Sequence, residues 1–408
     1  MTKPAAHKWA FAARFRRHAF GWRSQPAVQR VKEAVAEIQK VARKDLVLAA
    51  GGAVVFLEKV SPALERVDSS SGAIGTAVNH AIEALARIIA DAPADDKTRD
   101  QWLDRLWEAH QSDQIPYIEC LGDYWGDLCG SRERAAVWAD QLVCTVEMSW
   151  SPNRKPGGYF HGTIACLSAM LRAERHEQLL ALLEKAPHST WHYREWGVRA
   201  LVAMGRKADA IRYADASRGL NDCPIAVARL CEEILLSSGL AEEAYARYAI
   251  EANQSTTFLA TYRSISRKYP MKASAQVLDD LVASTPGQEG KWFAAAKDAG
   301  LYDEAIALVK RTPCDPRTLA RAARDFAATN PRFAIEAGVA ALQWIAAGHG
   351  YEITGLDVLA AYSGAMEAAK NAAAVDQTRT RIREILAAPK SPSKDFVAQA
   401  LGRALDSA

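Results

Sequence analysis

A short glycine-centred pattern recurs in the second half of the chain, and it constrains the fold more than any other feature. Its three copies, at residues 205–211, 239–245 and 300–306, place an acidic residue four positions after the glycine, followed by alanine and a large apolar residue. A weaker copy and two prolines that would start helices complete a series of six markers: Glu174, Gly205, Gly239, Pro270, Gly300 and Pro331. The markers stand 30 to 34 residues apart, a period typical of an array of helix pairs.

Each part of the repeated unit has a physical role in a helix–turn–helix. Glycine ends the first helix because it adopts left-handed backbone without a Cβ penalty. The acidic residue follows in the first turn of the second helix, where free amides favour negative charge. Alanine lets two helices approach closely, and the large apolar residue fills the groove between them. At 408 residues the chain is long for one core, whereas repeats contact only their neighbours. The sequence therefore predicts an all-α fold, an α-solenoid of stacked antiparallel helix pairs.

The first half of the chain has helical patterns without a regular period. Asp45 and Ser131 are good N-cap residues, and the helix after Asp45 is expected to be kinked or divided near Pro62. The serines at 69–71 can satisfy free amides of the next helix, and Thr354 begins a long final helix. An apolar stripe at three- and four-residue steps predicts an earlier helix that carries Val28, Val31, Val35, Ile38 and Val41.

Two prolines and two glycines within residues 150–158 predict the main boundary, because this stretch cannot continue a helix. We therefore predict four regions: a basic aromatic arm at 1–26, an irregular helical region at 27–150, the repeats at 159–350 and capping helices at 351–408.

Cysteine spacing and hydropathy bound the compartment and the cofactors. The seven cysteines are scattered, without a pair or a Cys/His spacing that would hold zinc, so we expect no cofactor and no metal. The longest apolar run, residues 49–57, is too short to span a membrane, and the basic N-terminus lacks the apolar stretch of a secretory signal. The sequence predicts a cytoplasmic protein.

The N-terminal arm is the sharpest candidate site. Residues 1–44 hold eleven Lys and Arg against Glu33 and Glu37, a balance of +9, so the rest of the chain carries −6. Such a segment can meet an acidic partner. The residues predicted to bind that partner are Trp9, Phe11, Arg14, Phe15, Arg16, Arg17, Trp22 and Arg23.

Four interpretations of the arm stay open. Arginines neutralising phosphates and aromatics stacking on bases would bind a nucleic acid. A basic amphipathic helix, with Phe11, Phe15 and Trp22 on one side, would suit a membrane surface or the groove of another protein. Alternatively, the aromatic side chains dock on the first helices and the arginines are solvated.

Two resemblances accompany these patterns. The unit at 300–306 resembles the helix–turn–helix of tetratricopeptide repeats, without their first-helix aromatic signature or closing proline. The stretches at 61–75, 282–293 and 351–355 resemble a bacterial helical family of unknown function that is associated with SWIM zinc-finger proteins. The SWIM motif itself, Cys-x-Cys followed by Cys-x-His, is absent. The resemblance supports a helical-repeat fold and implies no activity.

Three further groups each have a structural and a functional interpretation. The turn at 68–75 could present amides to an anion or only cap a helix. His161, Cys166 and His176 match no standard metal spacing, and the aromatic cluster at 188–196 fits a recognition groove or an inter-repeat core. No paired acid and base emerges.

We therefore expect a non-enzymatic protein-interaction scaffold that binds another protein or peptide, with a nucleic-acid-associated role for the arm as the alternative.

Overall fold

The structure, a computed structural model, describes residues 7–151, 160–219, 223–387 and 391–405, and these residues form helices and no strands. The predicted all-α class is confirmed. Contacts divide the chain into two compact units, Met1–Cys223 and Pro224–Ala408. The boundary predicted at 150–158 falls on residues of which 152–158 lie outside the described part.

The first unit contains ten described α-helices. They are α1 Ser24–Ala42, α2 Leu46–Leu64, α3 Ala73–Asp91, α4 Asp96–Gln111, α5 Trp125–Leu128, α6 Arg132–Ser149, α7 Thr163–Arg172, α8 His176–Leu183, α9 Trp191–Ala203 and α10 Lys207–Asp215. Short 3-10 helices at Phe11–Ala13 and Glu119–Tyr124 precede α1 and α5.

The second unit contains eleven in its described residues. They are α11 Pro224–Leu236, α12 Ala241–Ala252, α13 Phe258–Lys268, α14 Ser274–Ala283, α15 Phe293–Asp298, α16 Tyr302–Arg311, α17 Pro316–Asp325, α18 Pro331–Ala346, α19 Gly355–Asn371, α20 Val375–Ala387 and α21 Pro392–Leu401. Further 3-10 turns lie at Glu289–Trp292 and Gly402–Leu405.

The three helices α1, α2 and α3 pack on one another, with α2 the most apolar of them. Asp45 caps α2 by accepting a hydrogen bond from the Leu48 amide at 2.9 Å, as its position predicts. The helix runs through Pro62 without division, so of the two predicted alternatives, a kink or a division, the division is wrong. The N-cap of α3 is Gly72, with φ +69°. The hydroxyl of Ser71 accepts a long hydrogen bond, 3.4 Å, from the amide of Ala73.

By length and composition α2 could cross a membrane, but more than half of its most apolar stretch is buried inside the fold. This burial is typical of a core helix. No other described helix is both long and apolar enough to span a bilayer.

The repeats appear as successive helix pairs: α7 with α8 and α9 with α10 in the first unit, then α11/α12, α13/α14, α15/α16 and α17/α18 in the second. Gly205, Gly239 and Gly300 end the first helices of their pairs with φ of +75° to +76°. At each of them the next amide donates to the carbonyl five residues earlier, the Schellman pattern. Glu174 adopts the same conformation at φ +57° despite its side chain. The shared geometry confirms the predicted turn at four markers.

The two proline markers have different outcomes. Pro331 is the first residue of α18, with Asn330 as its N-cap, as predicted. Pro270 does not start a helix, because α13 ends at Lys268 and α14 begins only at Ser274. At the far end, Thr354 and Asp357 form a capping box that begins α19.

Candidate interaction surfaces

The aromatic half of the N-terminal arm lies in the hydrophobic core. Trp9, Phe11 and Phe15 expose 9%, 2% and 1% of their surface. Phe11 and Phe15 contact Phe56 of α2 edge-on, with ring centroids 5.8 and 5.1 Å apart. Trp9 lies directly over Gly52, where an added Cβ atom would collide with the indole ring. These three side chains are therefore covered in the folded chain.

Polar contacts fix the same segment. The carboxylate of Glu37 accepts hydrogen bonds from the amides of Ala10 and Phe11 at 2.7 and 3.1 Å. Arg14 pairs with Glu33 of α1 at 3.0 Å. Glu65, at the end of α2, pairs with Arg17 at 3.5 Å and lies 3.1 Å from Nδ1 of His18.

The remaining candidate residues of the arm are exposed. Trp22 exposes 73% of its surface, and Arg16 and Arg23 are also exposed. The backbone at Trp22 is held, since its carbonyl accepts a hydrogen bond from the amide of Asp68 at 2.8 Å. Arg23 has extended backbone and is the N-cap of α1. Trp22 and Arg23 thus form a fixed, solvent-facing corner.

The basic surface consists of exposed cations along the arm and along α1. Seven exposed cations of residues 7–44 have no carboxylate partner within the described part of the chain: Lys8, Arg16, Arg23, Lys32, Lys40, Arg43 and Lys44. Lys32 and Lys40 lie within one stripe of α1, opposite its buried residues, and Arg43 directly follows the helix, about 30 Å from Arg23. The cations are available to an acidic partner.

The acidic groove is a depression of about 740 Å³ in the first unit. Its lining residues come from α4 and α6 and the turn before α6: Asp96, Asp100, Asp104, Ser131, Glu133, Arg134, Val137, Trp138 and Gln141. The three aspartates are spaced by four residues, which places them along one face of α4. Ser131 caps α6 by accepting from the amide of Arg134 at 3.2 Å, as predicted.

One cation offsets part of this charge. Arg134 contacts Asp96 at 2.7 Å and Asp100 at 2.6 Å. Asp104 and Glu133 are exposed and have no cationic partner among the described residues. The groove therefore keeps a negative balance.

The floor of the acidic groove is partly apolar. Trp138 is half-buried and packs against Trp107 and Trp125, with ring centroids 5.4 and 5.0 Å apart. Val137 beside it is 54% exposed, and Met148, eleven residues further along the same face of α6, is 64% exposed. Val137 and Trp138 thus give the groove an apolar part next to unpaired carboxylates, whereas Met148 lies about 16 Å further along α6 and is not part of the groove lining.

Net charge differs more strongly along the first unit than the basic arm alone indicates. Residues 45–150, which include the acidic groove, hold eighteen Asp and Glu against eight Lys and Arg. The first unit therefore carries a strongly basic segment followed by a strongly acidic one.

A second groove, of about 750 Å³, lies between α17 and α19 in the second unit. Three arginines of α17 line it, at positions 317, 321 and 324, with Asp315, Asp357 and Glu367. Arg317 binds Asp357 through two hydrogen bonds of 2.8 and 3.0 Å, and this contact holds the pKa of the carboxyl far below its usual range. The charges of this groove are largely balanced internally.

Buried titratable groups are concentrated near the loop after α4. The Asp113 carboxylate accepts hydrogen bonds from the Ser61 hydroxyl and from the Ile118 amide, and burial raises its pKa. His110, whose pKa is lowered by burial, has its Nε2 atom 3.2 Å from the carbonyl oxygen of Glu119. In these contacts the serine faces a carboxylate and the imidazole faces backbone. The cluster joins the loop to α2.

The other candidate residues from the sequence are largely packed inside the fold. Trp191 and Trp196 are buried, and the rings of Tyr193 and Trp150 lie with their centroids 5.3 Å apart. Cys166 is buried, and burial raises its pKa to about 12. Within the described residues, no group of three His, Cys, Asp or Glu side chains could hold a metal ion.

The chain matches no protein-family model and no curated protein. The resemblance to helical proteins associated with SWIM zinc-finger proteins therefore stays a prediction. The acidic groove was missed from the sequence, although the four-residue spacing of Asp96, Asp100 and Asp104 was a visible signal of a charged helix face.

Proposed function

We propose that this chain is a non-enzymatic, cytoplasmic interaction scaffold, and that its acidic groove binds a basic, partly apolar segment of another protein. One observation carries the proposal: the apolar side chain of Val137, 54% exposed, lies in the groove with two carboxylates, Asp104 and Glu133, that have no cationic partner in the described chain. Covering solvated apolar surface of this kind lowers the free energy of the system and so favours binding.

The chemistry of the groove selects the partner. Asp104 and Glu133 would attract lysine or arginine and repel acidic segments. The ring of Trp138 offers a face on which a cationic side chain can rest. Val137 and Met148 would contact the apolar side of a partner helix. An amphipathic basic helix satisfies all three contacts at once.

Fluorescence anisotropy with a labelled amphipathic peptide, lysines on one face and leucines on the other, tests this proposal. The double variant Asp104→Lys/Glu133→Lys should weaken peptide binding by about tenfold or more, since close charge pairs at interfaces contribute about 1.5 kcal/mol or more each. Asp127→Lys/Asp279→Lys is the matched control with the same change in charge, because both carboxylates are exposed, have no ion-pair partner in the described chain and do not line the groove. Equal affinities for the groove variant and the control would refute the proposal.

A second candidate function rests on the basic surface. Seven cations without carboxylate partners in the described residues, spread along the arm and α1, suit the phosphates of a single-stranded nucleic acid, and the exposed ring of Trp22 before α1 suits one of its bases. Oligonucleotide affinity measured against salt concentration tests it: a steep loss with salt, reduced by Lys40→Glu/Arg43→Glu, is the expected result. Undetectable binding at low salt would remove this candidate.

A further inference from the structure

We infer that the acidic groove of one copy of this chain binds the Trp22–Arg23 corner of a second copy. The inference rests on the proposed function and names the partner. Both surfaces belong to the first unit, and both are exposed in the single chain.

The corner has the properties of an interface anchor. Trp22 exposes 73% of its surface, although tryptophan is usually covered in folded proteins. Its backbone is already fixed by the hydrogen bond from Asp68 and by the start of α1, so binding would cost little conformational entropy. Tryptophan and arginine are the residues most enriched among those that dominate binding energies.

The acidic groove has the complementary properties. Its volume, about 740 Å³, exceeds what one indole ring needs, and its apolar contacts come from Val137 and Trp138. The unpaired carboxylates of Asp104 and Glu133 would meet Arg23 and neighbouring cations of the basic surface. Apolar contact at the centre with charge pairs at the rim is the usual anatomy of a specific interface.

The charge partition supports a second copy over an unrelated partner. Residues 1–44 carry +9, whereas residues 45–150 hold ten more carboxylates than cations. Each copy therefore offers both members of a complementary pair. Because the corner and the acidic groove are different patches, the contact is heterologous, and it extends into rings or open chains of copies.

Sedimentation velocity of the full chain gives the first test. Between about 1 and about 200 µM protein in about 50 mM salt, the weight-average sedimentation coefficient should rise with concentration, and about 500 mM salt should suppress the rise. Trp22→Ala should weaken association by about thirtyfold, the effect expected of an interface hot spot. A chain that stays monomeric across this range overturns the inference.

A mixing experiment identifies the two surfaces. The variant Trp22→Ala/Arg23→Glu lacks the anchor but keeps the groove, and Asp104→Lys/Glu133→Lys lacks the groove but keeps the anchor. Each alone should be monomeric, and an equimolar mixture should form discrete dimers, because each partner supplies the surface that the other lacks. Asp127→Lys/Asp279→Lys, with the same two charge inversions outside the groove, should associate like the natural chain.

The outcomes separate this inference from the proposed function. A mixture that stays monomeric overturns self-association whatever the peptide experiment shows. The anchor variant keeps an intact groove, so it should still bind the lysine–leucine peptide. If it binds the peptide while the natural chain is monomeric, the groove serves another protein and the inference is wrong.

Discussion

The buried carboxylate of Glu232 should be the most sensitive single position of the second unit. Glu232, on α11, is fully buried and accepts three hydrogen bonds: from the Asn253 amide at 2.7 Å, the Tyr269 hydroxyl at 2.7 Å and the Lys268 ammonium at 2.6 Å. Burial and this neighbouring carboxylate raise the pKa of Tyr269. One side chain thereby joins α11 to the end of α12 and to α13.

Replacing this carboxylate should cost about 2–5 kcal/mol of unfolding free energy, from an unmet buried donor and a cavity together. In Glu232→Ala the fully buried hydroxyl of Tyr269 loses its acceptor, and unmet buried donors cost about 1–3 kcal/mol each. The Asn253 side chain keeps two hydrogen bonds, one donated to the Ala249 carbonyl at 2.8 Å and one accepted from the Ser264 hydroxyl at 3.2 Å, and Lys268, whose side chain is 39% exposed, can turn to water. Removing the Glu232 side chain also leaves a cavity, which adds to the cost of the unmet Tyr269 hydroxyl.

Urea denaturation followed by circular dichroism measures this loss, and hydrogen exchange of the peptides from α11 to α13 locates it. The neighbouring residue supplies the control: Glu233 is exposed, and Glu233→Ala should change stability by less than about 0.5 kcal/mol. Tyr269→Phe should cost about 1–2 kcal/mol, since it removes one hydrogen bond and leaves the others. A loss below about 1 kcal/mol in Glu232→Ala would refute the assignment of this carboxylate as the joint of three helices.

Three further predictions concern the first unit. Gly52→Val should displace Trp9 and cost about 1–3 kcal/mol, seen as faster hydrogen exchange of the arm, whereas Gly51→Ala, with open space around it, should be neutral or stabilising. Arg99→Met should lower the unfolding free energy by about 2–4 kcal/mol, because the buried guanidinium donates to carbonyls at the end of α3; an unchanged urea midpoint would contradict this. Burial raises the pKa of Asp123 to about 6, so the folded state keeps a proton that the unfolded chain releases, and stability should fall as pH rises from about 4 to about 6. Asp123→Asn should reduce that fall and leave the part that comes from Asp113, with a melting temperature above that of the natural chain at a pH of about 7.5 and no such gain near pH ~4.

The repeats were predictable because their signals are local. A left-handed residue at Gly205, Gly239 or Gly300 requires only its own backbone, and the acidic residues at 209, 243 and 304 respond to the adjacent helix end. Proline signals are weaker, since proline suits both the first turn of a helix and the turn after one. Pro331 lies in the first turn of α18, whereas Pro270 lies in the turn that follows α13.

The arm and the acidic groove depended on contacts that no local pattern encodes. Phe11, Phe15 and Trp22 would share one side of a continuous helix, but the helical turn there covers only Phe11–Ala13. Phe11 and Phe15 consequently turn inward while Trp22 faces solvent. The acidic groove exists because α4 and α6, separated by about twenty residues, lie side by side. Spacing along α4 predicts a charged face and does not predict which helix adjoins it.

The burial of the arm changes how its role must be tested. Deleting the first residues of the chain would remove Trp9, Phe11 and Phe15 from the core together with the arginines, so lost binding could not be separated from lost stability. The aromatic and the basic residues of the arm have different roles. The aromatic rings hold the arm on α2. This attachment fixes the cations in the solvent-facing positions that a partner would meet. Charge reversal at exposed positions such as Arg23 changes only the charge that a partner would meet and leaves the aromatic contacts in place. Because surface substitutions of this kind usually alter stability by less than about 0.5 kcal/mol, a change in binding would then report on the basic surface itself.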